Sequence, residues 1–379
     1  MIIVTMLGTG KYETTCYQWG EHTCETTLFP VALASWFPPD TVVKALVTDE
    51  AREKYGETLQ TAVPGVEFVA IPSGKSEEEL WQIFSTVAET LPEGEEVILD
   101  ITHGFRSLPI LTLLALSFLR IAKGIKLYKV FYGAYEARNQ ETHVSPVFDL
   151  TPFVTMLDWA NATDRFLETG DARKIAPLIM EKRKNPLNNV AQGMTEVSES
   201  LALMRAKDVL ENARKLQKKI TAAKAEEWEA QHTPLKLLLE RIETRFSPIA
   251  ETDTLKAQWE QICWLSNHAH YPAAVSLARE WLVSVRVVVS GKPIFPVDKE
   301  ERKSAERWLN NARRSGSPIP EEWTAAIHLW SGNLNHFRND LMHWGMRHDP
   351  RRPIEINRRV KELPEQLRQA VKPLGIEVG

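Results

Sequence analysis

A chain of 379 residues, 43% hydrophobic and 25% charged, has the composition of an ordinary globular protein, which excludes disordered and collagen-like classes. It also exceeds what one hydrophobic core usually organises, so two domains are the natural expectation. A net charge of −4 excludes a general polyanion binder, and any contact with nucleic acid has to come from a local basic patch.

The opening run, 1–7, is apolar but carries no basic leader, no long apolar region and no small-residue cleavage site, so it reads as a first strand and implies no export. From there to about residue 150, β-branched runs ending in polar or glycine residues alternate with amphipathic stretches. Strands are predicted at 2–7, 42–47, 66–71, 97–101 and 126–132, and helices at 26–37, 50–61, 76–91 and 108–122. This alternation predicts an α/β Rossmann-like domain, with a mostly parallel sheet and helices on both faces. The apolar stretch 108–122 contains Arg120 and falls short of the ~20 residues a bilayer requires, so it reads as a buried helix and no membrane is implied. After Pro152 the strand signal disappears. Helical spacing at 196–220 and 228–246 suggests a connector, and a second compact all-α unit follows, with helices at 271–289, 304–313, 320–330 and 335–344. The Arg- and Pro-rich segment 347–353 breaks that pattern. The expected division is 1–150, 151–250 and 251–379. The three cysteines, Cys16, Cys24 and Cys263, are odd in number and form no C-x-x-C pair, which suggests neither a disulfide framework nor a zinc site and fits a reducing cytoplasm.

In a parallel sheet, ligands bind outside the carboxyl ends of the strands, here 8–12, 48–50, 73–76, 102–106 and 133–135. The first strand closes on Gly8, Thr9, Gly10 and Lys11, where the glycines allow close backbone approach and the lysine suits an anion. A dinucleotide fingerprint would want glycine at position 13, which is Glu13, and a tight strand-to-helix turn explains the segment equally well. Stronger is Asp100-Ile101-Thr102-His103-Gly104-Phe105-Arg106 before the helix at 108. There a helix N-terminus, Gly104 and the donors Thr102, His103 and Arg106 suit phosphate oxygens, although a polar turn capping a buried helix also uses such residues. Gly74-Lys75-Ser76 imitates a P-loop and 97–100 a magnesium-holding strand, but Val69 occupies the place of the loop's first glycine.

Leu7-Gly8-Thr9-Gly10, the Asp100 to Arg106 segment, and Val130-Phe131-Tyr132-Gly133-Ala134 closing the fifth strand together resemble a CARF domain, the Rossmann-like sensor of CRISPR-associated proteins. The resemblance implies that two protomers pair to form one symmetric pocket for a cyclic oligoadenylate. It places Gly8, Thr9, Gly10, Lys11, Thr102, His103, Gly104 and Arg106 in the lining.

The helical part holds Arg338-Asn339-Asp340-Leu341-Met342-His343. On a helix Asn339 and His343 share a face, and the long Arg338 side chain reaches the same phosphate. RNA needs no metal for cleavage: its 2′-hydroxyl attacks phosphorus once a base such as His343 takes the proton, and a guanidinium such as Arg338 stabilises the pentavalent dianion. Such a spacing recurs by chance about once in one or two chains of this size. A second copy does occur, Arg138-Asn139-Gln140-Glu141-Thr142-His143, but it lies between a strand and the extended run 144–147, so it reads as coincidence. The helical setting of the copy at 338 resembles a HEPN domain, a nuclease module with an Arg-x(4 to 6)-His motif, and 271–281 resembles that family's long neighbouring helix, with Arg279 and Glu280 as supporting residues. HEPN sites are typically composite, which implies a homodimer or higher even oligomer. His268, His270 and His336 raise metal binding, but no carboxylate or cysteine accompanies them at ligand spacing.

The two resemblances together imply a cytoplasmic, metal-independent endoribonuclease of type III CRISPR systems. It would need no cofactor for catalysis, with cyclic oligoadenylate as allosteric activator and single-stranded RNA as substrate. Arg338, His343 and Asn339 form its expected site, and cyclic phosphate ends its expected product. A ligand-sensing regulator that binds RNA or protein without cutting is the alternative, and an NTP-dependent enzyme built on 74–76 is a third.

Overall fold

The computed structural model describes every residue except 105–106, 181–184, 229–231, 251–253, 296–297, 313–318, 347 and 379. The chain divides into two compact units, Met1–Thr155 and Met156–Gly379.

In the first unit the order is β1 (Ile2–Leu7), β2 (Thr15–Trp19), β3 (His22–Thr26), α1 (Phe29–Trp36), β4 (Val42–Val47), α2 (Asp49–Ala62), β5 (Glu67–Ala70), α3 (Glu77–Thr90), β6 (Glu96–Asp100), α4 (Leu108–Ala122), β7 (Lys126–Gly133) and β8 (Val144–Asp149). Among the described residues the strands form one eight-stranded sheet in the order β3-β2-β8-β7-β6-β1-β4-β5. β1 pairs in parallel with β4 and β6, β4 with β5, β6 with β7, and β2 with β8, whereas β2–β3 and β7–β8 are antiparallel. The fold is therefore Rossmann-like, with a mixed rather than wholly parallel sheet. β1 is buried along its whole length, as a central parallel strand covered on both faces must be. Its Ile2, Val4 and Met6 pack with Ile83 and Val87 of α3 and Leu116 of α4. Ile3 and Leu7 pack with Phe29 and Leu33 of α1 and Leu59 of α2.

α4 matches its expected span, but the helix expected at 26–37 begins only at Phe29. The preceding residues form the β2–β3 hairpin, in which Trp19 pairs with His22 across a two-residue turn. Gly20 has φ 58 there, the positive value such a turn requires.

α5 (Thr151–Thr169) carries the chain into the second unit. There follow α6 (Ile175–Ile179), α7 (Pro186–Ala202), α8 (Ala206–Lys224), α9 (Thr233–Phe246), α10 (Thr254–Asn267), α11 (Tyr271–Val289), α12 (Lys299–Asn311), α13 (Thr324–Leu329), α14 (Asn335–Met342) and α15 (Pro353–Val371). One core joins Phe166, Leu216 and Phe246 to Trp264, Trp281 and Leu367, so the stretch expected as a connector and the terminal helices share their buried surface. The helix expected at 196–220 is two helices, interrupted where Met204 takes φ 54. The helix expected from 304 starts at Lys299, because the Asp298 carboxylate accepts from the Glu300 and Glu301 N–H groups and caps it. Arg313, its expected end, lies outside the described residues. The stretch expected as one helix at 320–330 is a 3₁₀ turn, α13 and a π turn, Trp330–Leu334, that runs into α14.

Candidate functional site

β1 lies between β6 and β4, so the chain order reverses beside it, and the crevice at the carboxyl ends of β1 and β6 is where open α/β sheets take ligands. The five strand-end segments singled out from the sequence border two depressions there. One, of about 480 Å³, is lined by Gly8, Thr9, Glu50, Ser73, Lys75 and Ser107 among others. The other, of about 190 Å³, is lined by Lys11, Glu13, Thr102, His103, Gly133 and Glu136 among others.

The loop after β1 is braced from α2. Lys54 Nζ donates to the carbonyls of Thr9 and Gly10, at 2.7 and 3.1 Å, and the Tyr55 hydroxyl also donates to Gly10. These contacts occupy the carbonyl oxygens that would repel a phosphate. Tyr12 closes the loop: the Gly8 N–H donates to its hydroxyl at 3.0 Å, and its ring packs on Tyr55 and His103 with centroids 4.8 and 4.1 Å away. Gly8 is buried, Thr9 half-buried, and Gly10 and Lys11 exposed, so Thr9 and Lys11 carry the side chains best placed to meet an anion.

In the second segment the polar groups turn inward. Thr102 Oγ1 accepts from the Gly133 N–H at 2.8 Å, which ties β6 to β7. His103 is buried, and its Nε2 accepts from the Phe29 N–H at 3.0 Å, supplying a partner at the start of α1. That bond fixes the neutral ring, and burial pushes its pKa down to about 4. Gly104 is required by packing, since a Cβ there would stand 2.4 Å from Pro109 Cγ and 3.0 Å from Met6 Sδ. Thr102, His103 and Gly104 thus shape the crevice chiefly from behind, and Arg106 lies outside the described residues.

Three contributors had no role assigned from the sequence. Asp100 is fully buried, accepting from Thr5 Oγ1 at 2.6 Å and the Thr102 N–H at 2.8 Å, and desolvation raises its pKa to about 6. Ser107 is exposed at the start of α4 and makes no capping bond with its own side chain, leaving a donor at the larger depression. Tyr12 was legible only as an aromatic four residues beyond Gly8. The P-loop imitation resolves as a capping motif: Ser76 Oγ accepts from the Glu79 N–H at 3.3 Å, and the Glu79 carboxylate accepts from the Lys75 N–H at 2.9 Å, where a phosphate would have to sit.

In the second unit Arg338 and His343 are exposed and Asn339 is half-buried, at the C-terminal end of α14. His343 is the capping residue, one position beyond the helix, but its N–H still donates to the Asn339 carbonyl at 3.0 Å, which keeps the helical spacing. Arg338 Nη1 donates to Asn339 Oδ1 at 3.3 Å. The start of α14 is fixed from α11, where Arg279 Nε donates to Asn335 Oδ1 at 3.2 Å and the guanidinium lies 4.6 Å from the Trp330 ring centroid. Arg279 also pairs with Glu280 and Glu306, and Glu280 with Arg302, so both residues tie neighbouring helices together. A guanidinium and an imidazole five residues apart on an open surface are the groups needed for charge stabilisation and proton transfer at a phosphodiester.

The first unit is an eight-stranded Rossmann-like fold with an anion-suited crevice at its switch point, and the second is helical. Residues 2–136 match the family described as CRISPR system endoribonuclease Csx1, CARF domain. Residues 155–250 match the second domain of CRISPR-associated protein MJ1674. CRISPR-associated protein MJ1674 of Methanocaldococcus jannaschii is 27% identical over 168 residues, which cover 43% of this chain and 26% of that protein, so the chain spans about a quarter of its relative's length. The matches support a CARF domain at residues 2–136 and a likeness of the chain to CRISPR-associated proteins.

Proposed function

We propose that this protein is an endoribonuclease of HEPN type, switched on by a cyclic oligoadenylate and directed at single-stranded RNA in type III CRISPR defence. The observation that carries the reading is the exposed Arg338 and His343 at one helix end, with Arg338 bound to Asn339, in a chain whose first unit matches the Csx1 CARF-domain family.

In the proposed reaction the RNA 2′-oxygen forms a bond to phosphorus as His343 removes its proton. The bond from phosphorus to the 5′-oxygen breaks, and that oxygen takes a proton from the second copy's imidazole. The Arg338 guanidinium stabilises the pentavalent dianion, and no step calls on a metal. The products are a 2′,3′-cyclic phosphate and a 5′-hydroxyl.

The sensor's surface supports pairing of two copies. α4, the next helix after β6, exposes Ile110, Leu114, Phe118 and Ile121 at 58% to 90% along one face, a stripe that a second copy covers in this reading. Pairing there brings two sets of strand-end loops to one symmetric pocket. The signal then passes through α5, whose first residues belong to the sensor and whose remainder belongs to the helical unit. The activator must bind the cleaving arrangement more tightly than the resting one. The test is end-group analysis of the cleaved RNA. Cyclic phosphate and 5′-hydroxyl ends support the mechanism, and 5′-phosphate ends refute it.

A further inference from the structure

α14 ends in a Schellman turn. The Trp344 N–H donates to the Leu341 carbonyl at 3.2 Å and the Gly345 N–H to the Asp340 carbonyl at 3.0 Å, with Trp344 at φ 55. That position favours glycine, and α11 ends in the same way on Gly291, with φ 76. Met204 and Ala269 adopt the same conformation after α7 and α10, so the backbone alone distinguishes nothing. What sets Trp344 apart is its side chain: it immediately follows His343 and is 88% exposed, so packing does not account for it, and Met346 beside it is 89% exposed. The chain then folds back on α14, because Asp340 Oδ2 accepts from the Arg351 N–H at 3.1 Å. The exposed side chains of Arg338, His343, His348, Arg351 and Arg352 therefore belong to the same end of the helix. From 336 to 352 the sequence holds four arginines and three histidines against two aspartates, in a chain whose overall charge is −4. Local positive charge around an exposed aromatic ring suits a polyanion with flat bases better than an apolar protein partner.

We propose that Trp344 is a base-stacking platform that positions unpaired RNA beside His343. This rests on the reading of the Arg338 to His343 end as the RNA-cleaving site. One base flanking the scissile phosphate lies on the indole face, and because every base has such a face the contact does not select sequence.

The test compares wild type, Trp344→Phe and Trp344→Gly in steady-state cleavage of a fluorescein-labelled single-stranded RNA with saturating activator. Thermal unfolding and sedimentation are measured on the same samples. Glycine relieves the backbone, so Trp344→Gly should unfold at the same or a higher temperature while its KM rises about tenfold with a smaller change in kcat, and Trp344→Phe should stay within about threefold of wild type. An unchanged KM in Trp344→Gly overturns the assignment, as does a shift of that variant to a smaller assembly, which would make Trp344 a subunit contact. If wild type cleaves no RNA, the nuclease reading itself falls. If wild type cleaves in a His343-dependent way and Trp344→Gly keeps its KM, only the stacking role falls.

Discussion

Residues 138–143 and 338–343 are the same sentence written in two structural contexts. Both read Arg-Asn-x-x-x-His, and in both the histidine N–H donates to the asparagine carbonyl, at 2.9 and 3.0 Å. At 138 the arginine and asparagine side chains are taken up by a loop between strands, while the His143 ring is exposed like that of His343 and only its backbone is engaged. Asn139 Oδ1 accepts from the Glu141 and Thr142 N–H groups at 2.8 and 2.9 Å, Arg138 lies 4.9 Å from the Tyr135 ring centroid, and the His143 carbonyl takes bonds from Thr15 and Cys16 of β2. At 338 a helix end leaves arginine and histidine facing solvent, with the asparagine amide turned to the arginine. Spacing identifies candidates, and what distinguishes the two copies is the helical setting at 338 and an asparagine amide bound to the arginine instead of to the loop backbone.

The largest expected effect tests that contrast at the imidazoles. His343→Ala should lower RNA cleavage about a thousandfold and Arg338→Ala about a hundredfold, whereas Arg138→Ala and His143→Ala should leave the rate within about twofold. A fluorogenic RNA assay with activator measures all four, and comparable losses at 143 and 343 would erase the distinction.

A third histidine, His103, sharpens the contrast because its ring is buried and its Nε2 is held by the Phe29 N–H. Its folded pKa of about 4 lies below the 6.5 of a free imidazole, so its contribution to stability is present above pH 6.5 and is lost as pH falls towards 4. Asp100 works in the opposite direction. Its folded pKa of about 6 lies above 3.8, so it favours the fold most below pH 4 and progressively less as pH rises to 6. The two trends offset each other between about pH 4 and 6. Asp100→Asn keeps a carbonyl for the Thr102 N–H and removes the second trend. It should gain on the order of 1–3 kcal/mol over wild type at pH 8 and lose stability more steeply on acidification, as read by denaturant unfolding across pH. Parallel pH profiles for the two proteins would rule this out.

The smallest effects fall on the two asparagines, and they should fall on different observables. Asn139→Ala removes the acceptor for two N–H groups and should cost about 1 kcal/mol of stability with cleavage unchanged. Asn339→Ala should leave the unfolding midpoint close to wild type and slow cleavage about tenfold, since it loosens Arg338. Exchanged outcomes would mean that the assignments are reversed.

Much of the sensor was legible because a parallel strand buried on both faces leaves an almost unbroken apolar run, as in Ile2 to Leu7, and because Leu108 and Pro109 open a long apolar helix. The hairpin at 15–26 was hidden by its composition: Gln18 and Glu25 are ordinary helix formers, and only Gly20 announced the turn. At the crevice, sequence located the segments but not the direction of each side chain. Thr102 and His103 are residue types that suit a phosphate, yet their atoms serve Gly133 and Phe29, partners 31 and 74 positions away along the chain. Ser107 escaped notice and Asp100, though part of the motif, was given no role of its own, because a serine before a helix and an acid at a strand end have many uses. At α14 the motif was legible, whereas the exposure of Trp344 depends on a backbone turn that no local pattern signals.

The central claim is tested most directly by following fluorogenic single-stranded RNA in EDTA with cyclic tri-, tetra- or hexa-adenylate or no ligand, using wild type and His343→Ala. The expected result is cleavage by wild type with at least one ring, little without ligand, and none by His343→Ala. Cleavage that EDTA abolishes, or that His343→Ala retains, would contradict the account.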